Sequence, residues 1–221
     1  MNEYLQEHPL LLATLDIFFH LLIFIAIVSI VVFSLRAPMR RYKPIDLAIF
    51  KKLQPLHSGK SNRIMLAITY LGKHQFLVPV NLLLIAVYLL FGSHQWYAFR
   101  ILVMSLSSLV LMFILKRLFR RNRPVEHLLF RAKGKSFPSG HAMMSVCFYG
   151  LILHMILHSP ADVGTKIFAA IFMILLILSI GFSRVYLQVH YASDVLAGFL
   201  IGVSWFYISL RILNKLEIVF T

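Results

Sequence analysis

Long apolar runs separated by short polar connections dominate the 221-residue chain. Six of them, at 10–35, 64–91, 97–115, 139–158, 165–184 and 192–213, are close to or above the roughly 20 residues that carry a helix across a bilayer. The pattern predicts an all-α polytopic membrane protein: one domain, residues 1–221, with six transmembrane helices. No internal repeat, low-complexity tract or soluble domain interrupts it.

The runs differ in their polar content. The first is expected to be a retained span and not a cleaved signal, because residues 1–9 contain no Lys or Arg and the apolar stretch is too long for a signal core. Asp16 and His20 fall on one face of it, either as an interhelical pair or as a functional intramembrane site. Between the first two runs, Ile45, Ile49, Leu53 and Leu56 recur near helical period. That spacing suits either a short helix lying in the interface or a solvated loop. The second run is broken by Gly72-Lys73-His74-Gln75, which belongs near the surface or in a polar cavity. Lys73 there either snorkels or reaches an anion. Trp96 and Tyr97 mark an interface.

Composition supports the membrane assignment: 60% of residues are hydrophobic, against roughly 45–50% in soluble domains. The net charge of +14 would suit nucleic acid, anionic lipid or an anionic substrate. Nucleic acid is excluded by placement, since the cations sit in connections between spans. The lone Cys147 permits no intrachain disulfide.

Three groups of residues carry the candidate chemistry. Lys116, Arg123 and Arg184 flank spans, where an isolated cation is unfavourable and an anion would compensate it. Pro138-Ser139-Gly140-His141 reads as a helix start, with Ser139 as N-cap and Gly140 allowing close backbone approach to an anion. His190 and Asp194 stand at i, i+4, so the carboxylate can hold one ring nitrogen and leave the other available as a nucleophile or base. His141 would then serve as an acid. A His–Asp pair or a Ser-Gly cap alone is common in structural roles. Two spans between His141 and His190 return all the pieces to one membrane face, and that shared face is what points to a phosphate site.

The three blocks resemble the signature of the type 2 phosphatidic-acid phosphatase superfamily. That signature is Lys, six residues, Arg-Pro; Pro-Ser-Gly-His; and Ser-Arg, five residues, His, three residues, Asp. All eleven identities are present, as Lys116, Arg123-Pro124, Pro138 to His141, Ser183-Arg184, His190 and Asp194. The resemblance implies a membrane phosphatase for a lipid phosphate or diphosphate. Phosphatidic acid, phosphatidylglycerol phosphate, isoprenyl diphosphates and lipid A phosphates are the family's range. It implies that Lys116, Arg123, Arg184, Ser139 and Gly140 hold the phosphate and that His190 attacks phosphorus. Asp194 would orient His190, His141 would protonate the leaving group, and Ser183 would assist through a hydrogen bond. No metal or other cofactor is expected, since fixed cations stabilise the charge. The expected partners are the lipid phosphate itself and anionic lipid headgroups. Two alternatives remain open: a lipid phosphotransferase sharing the phosphohistidine, and a non-catalytic phospholipid-binding or transport protein.

Sidedness pulls two ways. Eight Lys and Arg in 36–63, eight in 116–135 and Arg184 make seventeen on the motif side, against Arg100, Lys166, Arg211 and Lys215 opposite. The positive-inside rule would place the motifs in the cytoplasm, whereas the family faces outward. The expectation adopted is a bacterial inner membrane with the site on the periplasmic face.

Overall fold

A computed structural model describes the chain apart from residues 1–13, 16, 20, 27–28, 30–38, 92–94, 125–127, 130–133 and 221. Among the described residues there is no strand, and the elements are helices throughout. We number the main ones α1 (Met39–Leu53), α2 (Gly59–Tyr70), α3 (His74–Leu90), α4 (Trp96–Phe119), α5 (Gly140–Leu157), α6 (Val163–Tyr186) and α7 (Ala192–Phe220).

Five stretches have the length and hydropathy of membrane spans: Gly59–Leu90, Trp96–Phe119, Gly140–Leu157, Val163–Tyr186 and Ala192–Ile218. The predicted first span lies largely outside the described residues, as do Asp16 and His20. Its described members between 14 and 29 are helical, and Phe24 packs its ring 4.9 Å from Trp205 of α7.

Helix α5 occupies the centre, packed on α4, α6 and α7. Lipid offers no hydrophobic drive for helix pairing, so close approach depends on small residues. A Cβ on Gly198 of α7 would stand 2.7 Å from the Ser139 carbonyl oxygen, which explains glycine at that crossing. Outward-facing side chains such as Phe168, Phe172, Leu175 and Leu178 are exposed and apolar, as a lipid-facing surface requires.

The interruption expected at 72–75 in the second run is present. Two helices meet there: α2, opened by a reciprocal Ser58–Ser61 capping box, and α3, beginning at His74. The break falls where a side chain would not fit, since a Cβ on Gly72 would lie 2.6 Å from Ile180 Cγ2 and 3.2 Å from His141 Cδ2. The third and fifth spans run longer than predicted, to Phe119 and Tyr186, and Lys116 and Arg184 stand in the last turns of α4 and α6. Cations are favourable at helix C-termini, where the backbone carbonyls converge. α1 resolves the open choice between helix and loop at 45–56 in favour of helix. It turns Phe50 inward against Tyr191, with ring centroids 5.8 Å apart.

Candidate active site

The separate sequence blocks converge at one end of the bundle. The C-terminal end of α4 brings Lys116, the following loop brings Arg121 and Arg123, and the N-terminus of α5 brings Gly140 and His141. The last turn of α6 supplies Arg184, and the tight turn into α7 supplies His190 and Asp194. That turn closes through Val189 and His190 amides, both donating to the Arg184 carbonyl at 3.2 Å.

His190 is 1% exposed. Its Nε2 lies 3.1 Å from an Arg123 terminal nitrogen. A guanidinium cannot accept, so Nε2 carries the lone pair and the ring proton belongs on Nδ1. Nδ1 faces Asp194 Oδ2 at 3.5 Å, which is ion-pair range but longer than a formed hydrogen bond. Burial, opposed by Asp194 and reinforced by Arg123 and Arg184, lowers the His190 pKa to about 3 and keeps the imidazole neutral. Burial also lowers the Arg123 pKa, with Asp194 opposing. Arg123 donates to the carbonyls of Gly134 and Val189 at 3.1 and 2.7 Å. Lys116 Nζ donates to the Lys135 carbonyl at 2.9 Å, and Arg184 donates to Thr69 Oγ1 at 2.6 Å.

Several polar atoms of the sequence-predicted set are buried without a hydrogen-bond partner: Ser139 Oγ, His141 Nε2 and Arg184 Nε. Buried polar groups ordinarily find partners, so this concentration is the mark of a site built for something polar. The expected side-chain cap by Ser139 is not made. Ser139 instead donates its amide to the Asp194 carbonyl at 3.0 Å, and its own carbonyl accepts from the Met143 amide at 3.1 Å, which leaves Oγ uncommitted. Ser183 Oγ is committed to the Ile180 carbonyl of its own helix at 2.6 Å, so the hydrogen bond expected of it goes to the backbone.

Sequence reasoning missed a second layer behind Asp194. Arg121 donates to Asp194 Oδ1 at 2.6 Å and to Asp46 Oδ2 of α1 at 3.0 Å, with its guanidinium 4.2 Å over the Tyr191 ring. Ser136 Oγ and the Tyr191 amide both donate to Asp194 Oδ2. Ser193 joins Asp46 through its amide and hydroxyl at 3.1 and 2.8 Å. Both carboxylates are almost wholly buried, and Arg121 is the cation that lets them share the interior. Along the chain, Asp46 reads as a polar residue on a minor face of a surface helix. Its bonds to Arg121 and Ser193 are what set it apart from Lys51 and Lys52 on the same helix.

A cavity of about 620 Å³ opens from this cluster and runs between α3 and α4. Lys116, Arg123, Gly140, His141 and His190 line its polar end, and residues such as Leu77, Leu82, Leu106 and Phe113 its long apolar part. Among the described residues, no Asp or Glu lines it.

The profile of the PAP2 superfamily matches residues 96–218. The chain belongs to the PAP2 superfamily. Phosphatidylglycerophosphatase B of Bacillus subtilis (strain 168) is 32% identical over 164 residues, covering 74% of this chain and 80% of that protein. Lipid phosphate phosphatase delta of Arabidopsis thaliana is 34% identical over 82 residues, 36% of this chain and 20% of that protein. Among solved structures, a transmembrane PAP2-type phosphatidylglycerolphosphate phosphatase from Bacillus subtilis superposes with a TM-score of 0.74. Its identity is 27%, and the match covers 93% of this chain and 97% of that one. LpxE of Aquifex aeolicus shares this fold at a TM-score of 0.58 and 24% identity, covering 75% of this chain and 94% of that one.

Proposed function

We propose that this PAP2 protein is a metal-independent membrane phosphatase that removes phosphate from a lipid phosphate or diphosphate through a phosphohistidine on His190. The observation that carries the reading is the placement of His190: Nε2 lies 3.1 Å from the cavity-lining Arg123 and Nδ1 faces Asp194, which suits a neutral ring with its lone pair on Nε2. That is the arrangement of an activated nucleophile backed by an orienting carboxylate.

The steps follow from the groups present. A phosphoryl group enters among Arg123, Lys116 and Arg184, with Ser139 Oγ and the Gly140 amide as further donors, and Arg123 shifts its hydrogen bond from Nε2 to a phosphoryl oxygen. Nε2 attacks phosphorus as the bond to the lipid oxygen breaks, and His141, which takes up a proton beside the negative charge of the bound phosphate, gives that proton to the oxygen. Asp194 balances the positive charge that develops on the ring. Water, deprotonated by His141, then attacks the phosphohistidine; inorganic phosphate leaves and Nε2 regains its lone pair. Fixed cations aimed at the equatorial oxygens supply the electrostatic stabilisation.

The apolar cavity between α3 and α4 supports a lipid substrate, with the tail lying between helices and the phosphate at headgroup depth. Phosphatidylglycerophosphate, phosphatidic acid and isoprenyl diphosphate all fit that description. Transfer of the phosphoryl group to another lipid acceptor would use the same intermediate. The site is assigned to the periplasmic face of a bacterial inner membrane, with part of the basic surplus serving phosphate and headgroups.

The test is phosphate release by the purified protein from a panel of lipid phosphates, with EDTA present. Activity should survive the chelator and fall at least about a thousandfold in His190→Ala. An acid-labile phosphoenzyme should be trapped in the wild type. Release by His190→Ala at the wild-type rate would remove the nucleophile assignment.

A further inference from the structure

The apolar part of the cavity contains two polar side chains, and they are bonded to each other. Ser105 Oγ of α4 donates to Asn81 Oδ1 of α3 at 2.6 Å, and Asn81 Nδ2 donates to the Leu77 carbonyl at 2.7 Å. Both residues line the cavity, among Leu, Ile, Val, Met and Phe neighbours. An amide carries two N–H donors, and these bonds use one of them. Asn81 lies seven residues beyond His74, the first residue of α3, and so about 10 Å deeper along the helix axis. An amide placed there only to tie α3 to α4 would be worth little, since such intramembrane bonds average about 0.6 kcal/mol.

We propose that Asn81, oriented by Ser105, donates its remaining N–H to an ester carbonyl of the substrate, so that the enzyme selects ester-linked glycerolipid phosphates over isoprenyl and ether-linked ones. The inference rests on the lipid phosphatase reading and deepens it. A lipid tail descending from the phosphate end presents no hydrogen-bonding group below its headgroup except the acyl ester. An isoprenyl chain presents none, and it leaves the donor buried against hydrocarbon, which is unfavourable. Selectivity therefore comes from a group that only one substrate class can satisfy, the arrangement that discriminates best in an apolar pocket.

The experiment compares a diacyl lipid phosphate with its dialkyl ether counterpart of equal chain length, which differs only in the carbonyls, and with an isoprenyl phosphate. Turnover is measured in the wild type, Asn81→Leu and Ser105→Ala. Lipid binding is measured in each of these on the His190→Ala background, together with the melting temperature in detergent. The wild type should favour the ester over the ether by about three- to tenfold, the range of one hydrogen bond. Asn81→Leu should bring that ratio to near one by lowering the ester, and Ser105→Ala should lower it part-way. A wild-type ratio of one, or an equal fall on ester, ether and isoprenyl lipids in Asn81→Leu, would overturn the proposal and leave an interhelical bond only. If no lipid phosphate is turned over, the phosphatase reading fails separately, and the ester-to-ether binding ratio alone decides for or against Asn81.

Discussion

The two ends of this bundle both bury arginines, and they use them differently. At the end away from the site, Arg100 of α4 meets His154 at 3.2 Å, Asn214 at 2.7 Å and Glu217 at 2.5 Å, tying α4, α5 and α7 together. There the guanidinium has an acidic partner. At the site end, Arg123 and Arg184 face His190, main-chain carbonyls and Thr69, and the carboxylate of Asp194 beside His190 is already held by Arg121, Ser136 and the Tyr191 amide. A cation matched by protein groups is a fastener. Each end leaves one guanidinium Nε without a partner, on Arg100 and on Arg184, so the difference is the carboxylate: cations without one of their own are suited to receive an anion.

Exchanging the two kinds of arginine should break this comparison most sharply. Arg184→Gln should cost roughly a hundredfold or more in kcat/KM, since a transition-state cation is removed, with little change in melting temperature. Arg100→Gln should do the reverse: kcat/KM within about twofold, and a destabilisation of about 1–3 kcal/mol from the orphaned partners, read as a fall in melting temperature of several degrees. Equal effects of both substitutions on stability would erase the distinction.

Arg121 sharpens it, being a fastener that stands directly behind the site. Arg121→Gln leaves two buried carboxylates uncompensated, so kcat should fall about tenfold while KM holds, because Arg121 touches Asp194 and not the substrate. Adding Asp46→Asn should recover part of that fall by removing the second negative charge. A double variant as impaired as the two single effects combined would show that α1 and Asp194 are independent.

The smallest effect expected is in pH dependence. His190 has a folded pKa of about 3 against roughly 6.5 when unfolded. Between these values the unfolded chain takes up the proton and the folded one does not, so stability declines as pH falls through that window. From pH 7 to 5.5 the decline should be about 1 kcal/mol, measured by melting in detergent, and His190→Gln should lack this component.

Much of the site is legible in the sequence because its spacing is local. His190 and Asp194 at i, i+4, the Ser139-Gly140-His141 helix start and the Lys116-to-Arg123 interval each lie within one turn or one loop, and hydropathy alone places them beside spans. Residues such as Asp46, Arg121 and Thr69 are not legible. Each belongs to a stretch where a surface charge or a helix hydroxyl would read the same. The bonds from Asp46 to Ser193, beside Asp194, and from Thr69 to Arg184 each join residues more than a hundred positions apart.

By itself, then, the sequence determined an all-helical membrane protein and singled out the residues proposed to meet a phosphate, because hydropathy, charge and short-range spacing are properties of the chain. The tertiary structure decided which nitrogen of His190 turns to Arg123, which arginine serves Asp194, and that the break at Gly72 lies against His141. It also decided that an apolar cavity with one amide in its wall extends from the cations between α3 and α4. These depend on which faces of distant helices come within hydrogen-bonding distance, and no pattern of neighbouring residues encodes that.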